Sequence, residues 1–376
     1  MAATFSGGNG AGVSVINASG GADYTSLAQA AADFTSFPGG STGNWTLQIA
    51  SDLNETTQSL FGNNTNGFSV TIRPAPATSV TVSFNYDARP FDDPDASLPP
   101  YIWDGNIVVG PNRSYGATEE NETDPNTIRY MSTHNFIIDG RNDPNGNERN
   151  LTLLTPEITS ARPLIPRYGV RVIGNCDDTV IRNTTILQKT HGTAVSGAAE
   201  GYVGVLYTGR YVSSGALLFL PDRARVENCG IWVMKNQVGR GVWSQITGPT
   251  STGFNAITGM VITNNDIDSS HRLVHFGGNA GGEISYNRMR VVQEGPGQRV
   301  EAIIHTGSNG VTFPWTTNIV GNHIKEIVCR ATNGFDYIIG IGGVIDGNTG
   351  VTFNIRNNMI GNVTGTADIA AGGNSI

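Results

Sequence analysis

Charge is what this chain has least of. Asp, Glu, Lys and Arg make up only 14% of its 376 residues, against about 25% in an average soluble domain. Amphipathic helices need a charged face, so the shortage leaves room for few of them. Clustered cations are scarce as well, with 23 Lys and Arg against 31 Asp and Glu and a net charge of −8. A phosphate backbone is held by such clusters, so nucleic acid is excluded as a partner. No apolar run approaches the roughly 20 residues that span a bilayer. The longest compact ones, Ala216–Leu220 and Tyr337–Ile341, are strand-sized, so no membrane span is expected. The N-terminus, Met-Ala-Ala-Thr-Phe-Ser-Gly-Gly, has no positively charged start and no apolar stretch, so no signal peptide is read in it. The three cysteines, Cys176, Cys229 and Cys329, cannot all pair within one chain and lack zinc spacing, which leaves buried free thiols as the expectation.

What the chain has in quantity is glycine, 49 residues, and asparagine placed inside apolar runs. The stretch "VTFNIRNNMI" (351–360) alternates like a strand and then breaks step: Ile355 and Ile360 lie five apart, with Asn357 and Asn358 between. The pattern recurs in Ile181–Ile186, Val226–Ile231, Ile262–Ile267, Ile284–Met289 and Ile319–Ile324, each with Asn two or three places after its first residue. The first positions advance by 45, 36, 22, 35 and 36 residues. Aligning Phe136 with Ile181 adds another 45 upstream. A repeat near 22, doubled or lengthened by insertions, accounts for 22 and 45, while the steps near 36 need one coil with a long loop.

Asparagine tolerates left-handed backbone geometry better than other non-glycine residues, so it can turn a strand sharply. Such a corner resets the pleat, and apolar residues on both sides then face one interior. Repeated corners with short strands signal a solenoid, and stacked Asn amides can hydrogen-bond from coil to coil. Ordinary hairpin turns in an antiparallel sandwich are the alternative, but hairpins favour Asn-Gly and most of these corners lack the glycine. Cys176 and Cys229 follow Asn175 and Asn228 and are therefore expected at equivalent corners, two coils apart.

Residues 1–22 read as an N-terminal extension and 23–376 as a single domain. Residues 23–37 form the one convincing helix, with Leu27, Ala30, Ala31 and Phe34 on one stripe and a Ser26/Gln29 capping pattern. Its expected job is to cover the first coil. Strands are expected at Trp45–Ile49, Phe68–Ile72 and Val80–Phe84, and loop insertions at 85–101, 111–127, 141–167 and 192–209. No amphipathic cap is read between Gly365 and Ile376, so the last coil or lateral loops are expected to self-associate.

The stretches "GGADYTSLAQAAADF", "NFIIDG", "VIRNTTI", "VITNNDI" and "NIRNNMI" resemble the pectate-lyase-like right-handed parallel β-helix superfamily. The resemblance covers most of residues 20–364 and implies an all-β, right-handed parallel β-helix. It does not choose among polysaccharide lyases, hydrolases, phage tailspikes, adhesins and noncatalytic surface proteins. The lyase motif Arg-x-Pro-x-x-Arg is not met: in Arg162–Arg167 the proline falls one place early. Of the hydrolase signatures only "NCDD" is echoed, at 175–178. Asp177 and Asp178 are the weak candidates for Ca2+, against a solvated turn.

The densest polar group is Asp266, Asp268, His271, Arg272 and His275, with Glu301 and His305 expected nearby. In an enzyme, Arg272 or His271 would be the base and His275 or His305 the acid; otherwise these residues satisfy turn amides and line a solvated face. A three-histidine metal site is disfavoured, because the four-residue spacing of His271 and His275 suits a helix and this segment reads as strand. Tyr101, Trp103, Trp232, Trp243 and Trp315 fall outside the core rhythm. Trp103, Trp243 and Trp315 are weak candidates for stacking on a glycan, with core or loop packing the preferred reading for any one of them. The favoured function is a noncatalytic structural or adhesive module, extracellular or on a cell or virion surface; the rival is a lyase or hydrolase acting on an acidic polysaccharide.

Overall fold

A computed structural model describes residues 11–37, 39–86, 105–110, 133–156, 168–189, 202–208, 210–211, 217–233, 239–245, 256–293, 300–307, 314–329, 338–344 and 350–365. The chain is a parallel β-helix. Three walls of stacked strands carry all but one of the strand pairings, and every pairing within them is parallel. The first wall has ten strands, from Gly12–Ile16 to Val351–Arg356; the second has nine, from Leu53–Glu55 to Met359–Gly365. The third runs from Ser59–Phe61 to Ile338–Val344. The one antiparallel pair among the described residues joins Arg210–Tyr211 to Leu217–Phe219.

Each coil crosses the walls in order and adds one residue to each interior column. Ile138, Ile181, Val226, Ile262, Ile284 and Ile319 stack in register on the first wall. Ile186, Ile231, Ile267, Met289 and Ile324 do so on the second. All are buried, and each contributes about 1.5–3 kcal/mol of apolar burial. Between these columns lies the corner read from the sequence. Asn183, Asn228, Asn264, Tyr286, Gly321 and Asn357 occupy it with φ of 52, 49, 57, 54, 66 and 55°.

The residue after each of these turns inward and builds a ladder. Asn265 Oδ1 accepts from the Cys229 N–H at 2.8 Å, Asn287 Oδ1 from Asn265 N–H at 2.9 Å, Asn322 Oδ1 from Asn287 N–H at 3.1 Å and Asn358 Oδ1 from Asn322 N–H at 2.9 Å. Each amide nitrogen also donates back to a first-wall carbonyl: Val226, Ile262, Ile284 or Ile319. These rungs are 36, 22, 35 and 36 residues apart, and Asn228 bonds Asn183 across 45. Every step is therefore one coil, and 45 is a lengthened coil rather than two short ones.

Several sequence expectations are corrected. Gly12–Ile16 pairs with Trp45–Ile49, so the first wall begins inside the supposed extension. Ile138, not Phe136, is in register with Ile181. Leu151–Thr155 and Tyr202–Thr208 are strands within stretches read as insertions. The second was misread because Gly204 looks like a loop residue. Its missing side chain instead makes room for the opposite wall, since a Cβ there would lie 2.5 Å from Ile231 Cγ2. Of the expected insertions, 87–101, 111–127, 157–167 and 192–201 lie outside the described residues.

Cys176 lies between third-wall Tyr168–Ile173 and first-wall Val180–Arg182, whereas Cys229 lies between the first and second walls. The two are neither equivalent nor two coils apart, because Val180–Arg182 and Arg225–Glu227 are adjacent rungs. Both thiols, like Cys329, are buried and outside any disulfide, and burial pushes Cys176 and Cys229 up to about 12.

The helix spans Leu27–Ser36, shorter than expected. Ser26 Oγ accepts from the Gln29 N–H at 3.1 Å, and Gln29 Oε1 accepts from the Thr25 N–H at 3.0 Å. Leu27, Ala30, Ala31 and Phe34 are wholly buried, with Phe34 stacked on Trp45 at 5.9 Å. Buried Glu55, from the first strand of the second wall, accepts from the N–H groups of Leu27 and Ala28 at 2.7 and 3.0 Å. Those donors would otherwise be orphans of the helix start.

Candidate functional site

The outer face of the third wall follows from its glycines. A Cβ at Gly169, Gly204 or Gly241 would meet Ile186, Ile231 or Ile267 of the second wall at 2.7, 2.5 and 2.4 Å, so these positions point inward. The next residue points inward too: Leu273 with Val274, and Ala302 with Ile303, belong to the same interior cluster. Strict alternation is thus broken once per strand. Residues three apart consequently share the outer face. One outer row stacks Tyr168, Val203, Arg240, Arg272 and Glu301; the other stacks Arg171, Leu206, Trp243, His275 and Ile304. Tyr168, Val203, Leu206 and Trp243 form a cluster separate from the core.

On this face Arg240 lies 3.7 Å over the Trp243 ring, and Trp243 stacks on His275 at 5.8 Å with 9° between planes. Arg272 Nη1 is 3.1 Å from His275 Nδ1, and Arg272 Nε donates to the Glu301 carboxylate. Guanidinium has only donors, so Nδ1 is the acceptor and the proton sits on Nε2, which donates to Thr306 Oγ1 at 3.1 Å. Burial, then the charges of Arg272 and Arg240, hold the imidazole well below its usual range. His275 is neutral near pH 7, and its basic nitrogen is occupied by a cation.

The other candidates disperse. Asp266 and Asp268 lie on the second wall, paired with Arg149 at 2.7 Å and with Arg290 at 3.3 Å; Arg290 also reaches Glu326 at 2.6 Å. His271 is buried at the corner leading into the third wall. His305 is inside the cylinder, in register with Phe276, stacked on Trp315 at 4.8 Å and edge-on to Phe353 at 5.3 Å. Burial lowers it to about 4. The expected patch joining His305 to Glu301 does not form, because the broken alternation puts Glu301 outside and His305 inside.

Asp178 pairs with Arg223 at 2.8 Å, and the hydrogen bond from Arg223 lowers its carboxyl. Asp177 accepts from the Asp222 N–H at 3.0 Å and from Arg223 at 3.2 Å. Asp222 in turn accepts from the Thr258 N–H at 2.6 Å, so carboxylates tie coil to coil at this corner. A calcium ion at Asp177 and Asp178 would have to displace the guanidinium. No group of three metal-ligating side chains occurs among the described residues.

Trp243 and Trp315 are buried, packed on His275 and His305, which is the packing reading rather than the glycan-stacking one; Trp103 lies outside the described residues. Among the described tryptophans the one that faces outward is Trp232, 37% exposed. Its indole lies across Gly230, where a Cβ would come within 2.4 Å of Cζ3 and Cη2 and 3.1 Å of an Arg149 nitrogen. Asp266 and Asp268 stand on the next coil in register with Gly230 and Trp232. The result is an aromatic surface bordered by paired carboxylates and guanidiniums.

No family model and no curated protein matches the sequence. A solved structure, that of the Dettilon tailspike protein (gp208), is similar at 12% identity, with a TM-score of 0.30. The similarity covers 90% of this chain, and the chain spans 64% of the tailspike chain's length.

Sequence reasoning missed Arg240 and Arg149 altogether. Arg240 carries no local signal, since its place beside Arg272 depends on the length of the coil between them. The signal for Trp232 was present in "CGIW": glycine and tryptophan two apart in a strand share a face, and glycine leaves room for the ring.

Proposed function

We propose that the chain is a noncatalytic structural or adhesive β-helix module of an extracellular or virion surface assembly, related to the pectate-lyase-like superfamily. The observation that supports this reading is the state of the candidate proton-transfer groups. A general acid must carry a transferable proton and a base a free lone pair, with pKa values near the working pH. His275 is neutral with its lone pair held by Arg272, and Arg272 donates to Glu301. His305 lies in the core, and Asp266 and Asp268 are ion-paired on another wall. In this reading Trp232, with the charged pairs around it, is the surface that touches a glycan.

The second reading, a polysaccharide lyase or hydrolase, is favoured by the meeting of Arg240, Arg272, Trp243, His275 and Glu301 on one outer face. Incubating the protein with polygalacturonate, alginate and hyaluronan, read for unsaturated products and reducing ends, separates the two. The module reading expects neither product. Cleavage that disappears in Arg272→Ala would replace it with the enzyme reading.

A further inference from the structure

We propose that Tyr286 and Trp232 mark the two ends of one binding surface, laid obliquely across the outer face of the second wall, for a neutral glycan several sugars long. This rests on the adhesive form of the reading above, and it adds a second aromatic, the class of glycan and the need for more than one sugar.

Tyr286 is the exception in its row. Of the six corners between the first and second walls named above, four carry Asn and one carries Gly, the residue types that accept left-handed backbone readily. A bulky side chain at such a position is an outlier held against a backbone cost. Tyr286 stands there at φ 54° and is 60% exposed. The one glycine of the row is the next rung, and it is the seat of the ring: a Cβ on Gly321 would come within 2.7 Å of Tyr286 Cδ1 and Cε1. The ring thus rests on the backbone of the following coil. Trp232 is seated in the same manner on Gly230. The fold makes this corner four times with Asn, so the corner itself does not require the tyrosine.

Val226, Ile262 and Ile284 are successive rungs, so Tyr286 lies two coils above Trp232, which is four residues past its own corner at Asn228. With strands about 4.8 Å apart and about 3.3 Å per residue, the two Cα atoms are on the order of 15 Å apart. Ion pairs fill the interval: Asp266 with Arg149, and Arg290 with Asp268 and Glu326. Arg288 stands in register beside Asp266. A protein partner covers a contiguous apolar patch, and here charged groups hold the two rings apart. A pyranose chain carries the matching alternation. Its C–H faces suit the electron-rich face of an aromatic ring, and its hydroxyls donate to carboxylates and accept from guanidiniums. A neutral chain fits better than an acidic one, because carboxylates of the protein already hold Arg149 and Arg290, and the Asp266 side chain, 39% exposed, would repel a uronate.

Isothermal titration calorimetry on the whole 376-residue protein tests the proposal, with cellohexaose, maltohexaose, xylohexaose and mannohexaose as neutral probes and hexagalacturonate as the acidic one. At least one neutral hexamer should bind, and its dimer should bind at least tenfold more weakly. Trp232→Ala and, separately, Tyr286→Asn should each lower the affinity at least tenfold, while Val13→Ala, exposed on the first wall, should leave it unchanged. Tyr286→Asn gives the corner the residue its neighbours use, so its melting temperature should equal or exceed the parent's; a clear fall would make the ring a packing element and overturn the proposal. Should Trp232→Ala fail to fold, Tyr286→Asn decides alone. The proposal is also overturned if no neutral hexamer binds, if only hexagalacturonate binds, if the dimer binds as tightly as the hexamer, or if the folded variants bind like the parent. Self-association of the parent that either variant abolishes in sedimentation velocity would assign the surface to a second copy and overturn it too. Polysaccharide cleavage beside intact binding at Trp232 and Tyr286 would fail the noncatalytic reading alone. A protein that neither binds nor cleaves would fail this inference and leave the structural form of that reading standing.

Discussion

The two ends of this β-helix meet the same problem with opposite outcomes. At the N-terminal end Phe34 closes the interior against Trp45 and Phe61, and Glu55 secures the helix that carries it. At the C-terminal end of the described residues Ile355, Ile360 and Val363 continue interior columns but are about half exposed. A solenoid's coils are interchangeable in cross-section, so each apolar column is stabilised by its neighbours on both sides. The difference between the ends is therefore one of stacking, not of residue type: the same isoleucine is core at 319 and surface at 355.

The largest effect should separate the ends directly. Phe34→Ala removes a wholly buried ring and should cost about 3–5 kcal/mol. Ile360→Ala, at a side chain 45% exposed, should cost under about 1 kcal/mol. Urea unfolding of both variants checks this; equal losses would mean the C-terminal coil is as well sealed as the first.

A smaller effect comes from His305, one coil below the open face and in register with Gly343. Its folded value, about 4, lies below the ordinary value near 6.5, so the folded protein prefers the neutral ring. Phe276, Trp315, Phe353 and Gly343 enclose it, and His275 on the adjacent coil is itself held neutral. Stability is then full above about pH 6.5 and falls as pH drops toward 4, by at most about 3 kcal/mol. His305→Phe should flatten that slope in melting experiments between pH 7 and 4, and an unchanged slope would assign the acid loss to other groups.

The corners were legible in the sequence because their constraint is local. A left-handed residue followed by an inward Asn recurs on coil after coil, and the spacings read from Ile181 to Ile355 match the rungs from Asn183 to Asn358. What was not legible depended on distance. Nothing near Ile181 or Val226 shows that 45 residues make one coil, since the insertion between them leaves no mark on the register. The strand Tyr202–Thr208 was hidden by the glycine that lets two walls approach. The candidate site failed for a third reason: one extra inward residue at Leu273–Val274 and at Ala302–Ile303 places Arg272 beside His275 and sends His305 inside, which simple alternation cannot foresee.

The stacked ladder underlies the fold and the contrast between its ends, and native-state amide hydrogen exchange reads it residue by residue. The backbone N–H groups of Asn265, Asn287 and Asn322, each given to the next Asn Oδ1, should be protected to nearly the global stability of the helix. That of Asn358, which meets no further rung among the described residues, should exchange faster by orders of magnitude. Ladder amides that exchange as freely as Asn358 would contradict the account.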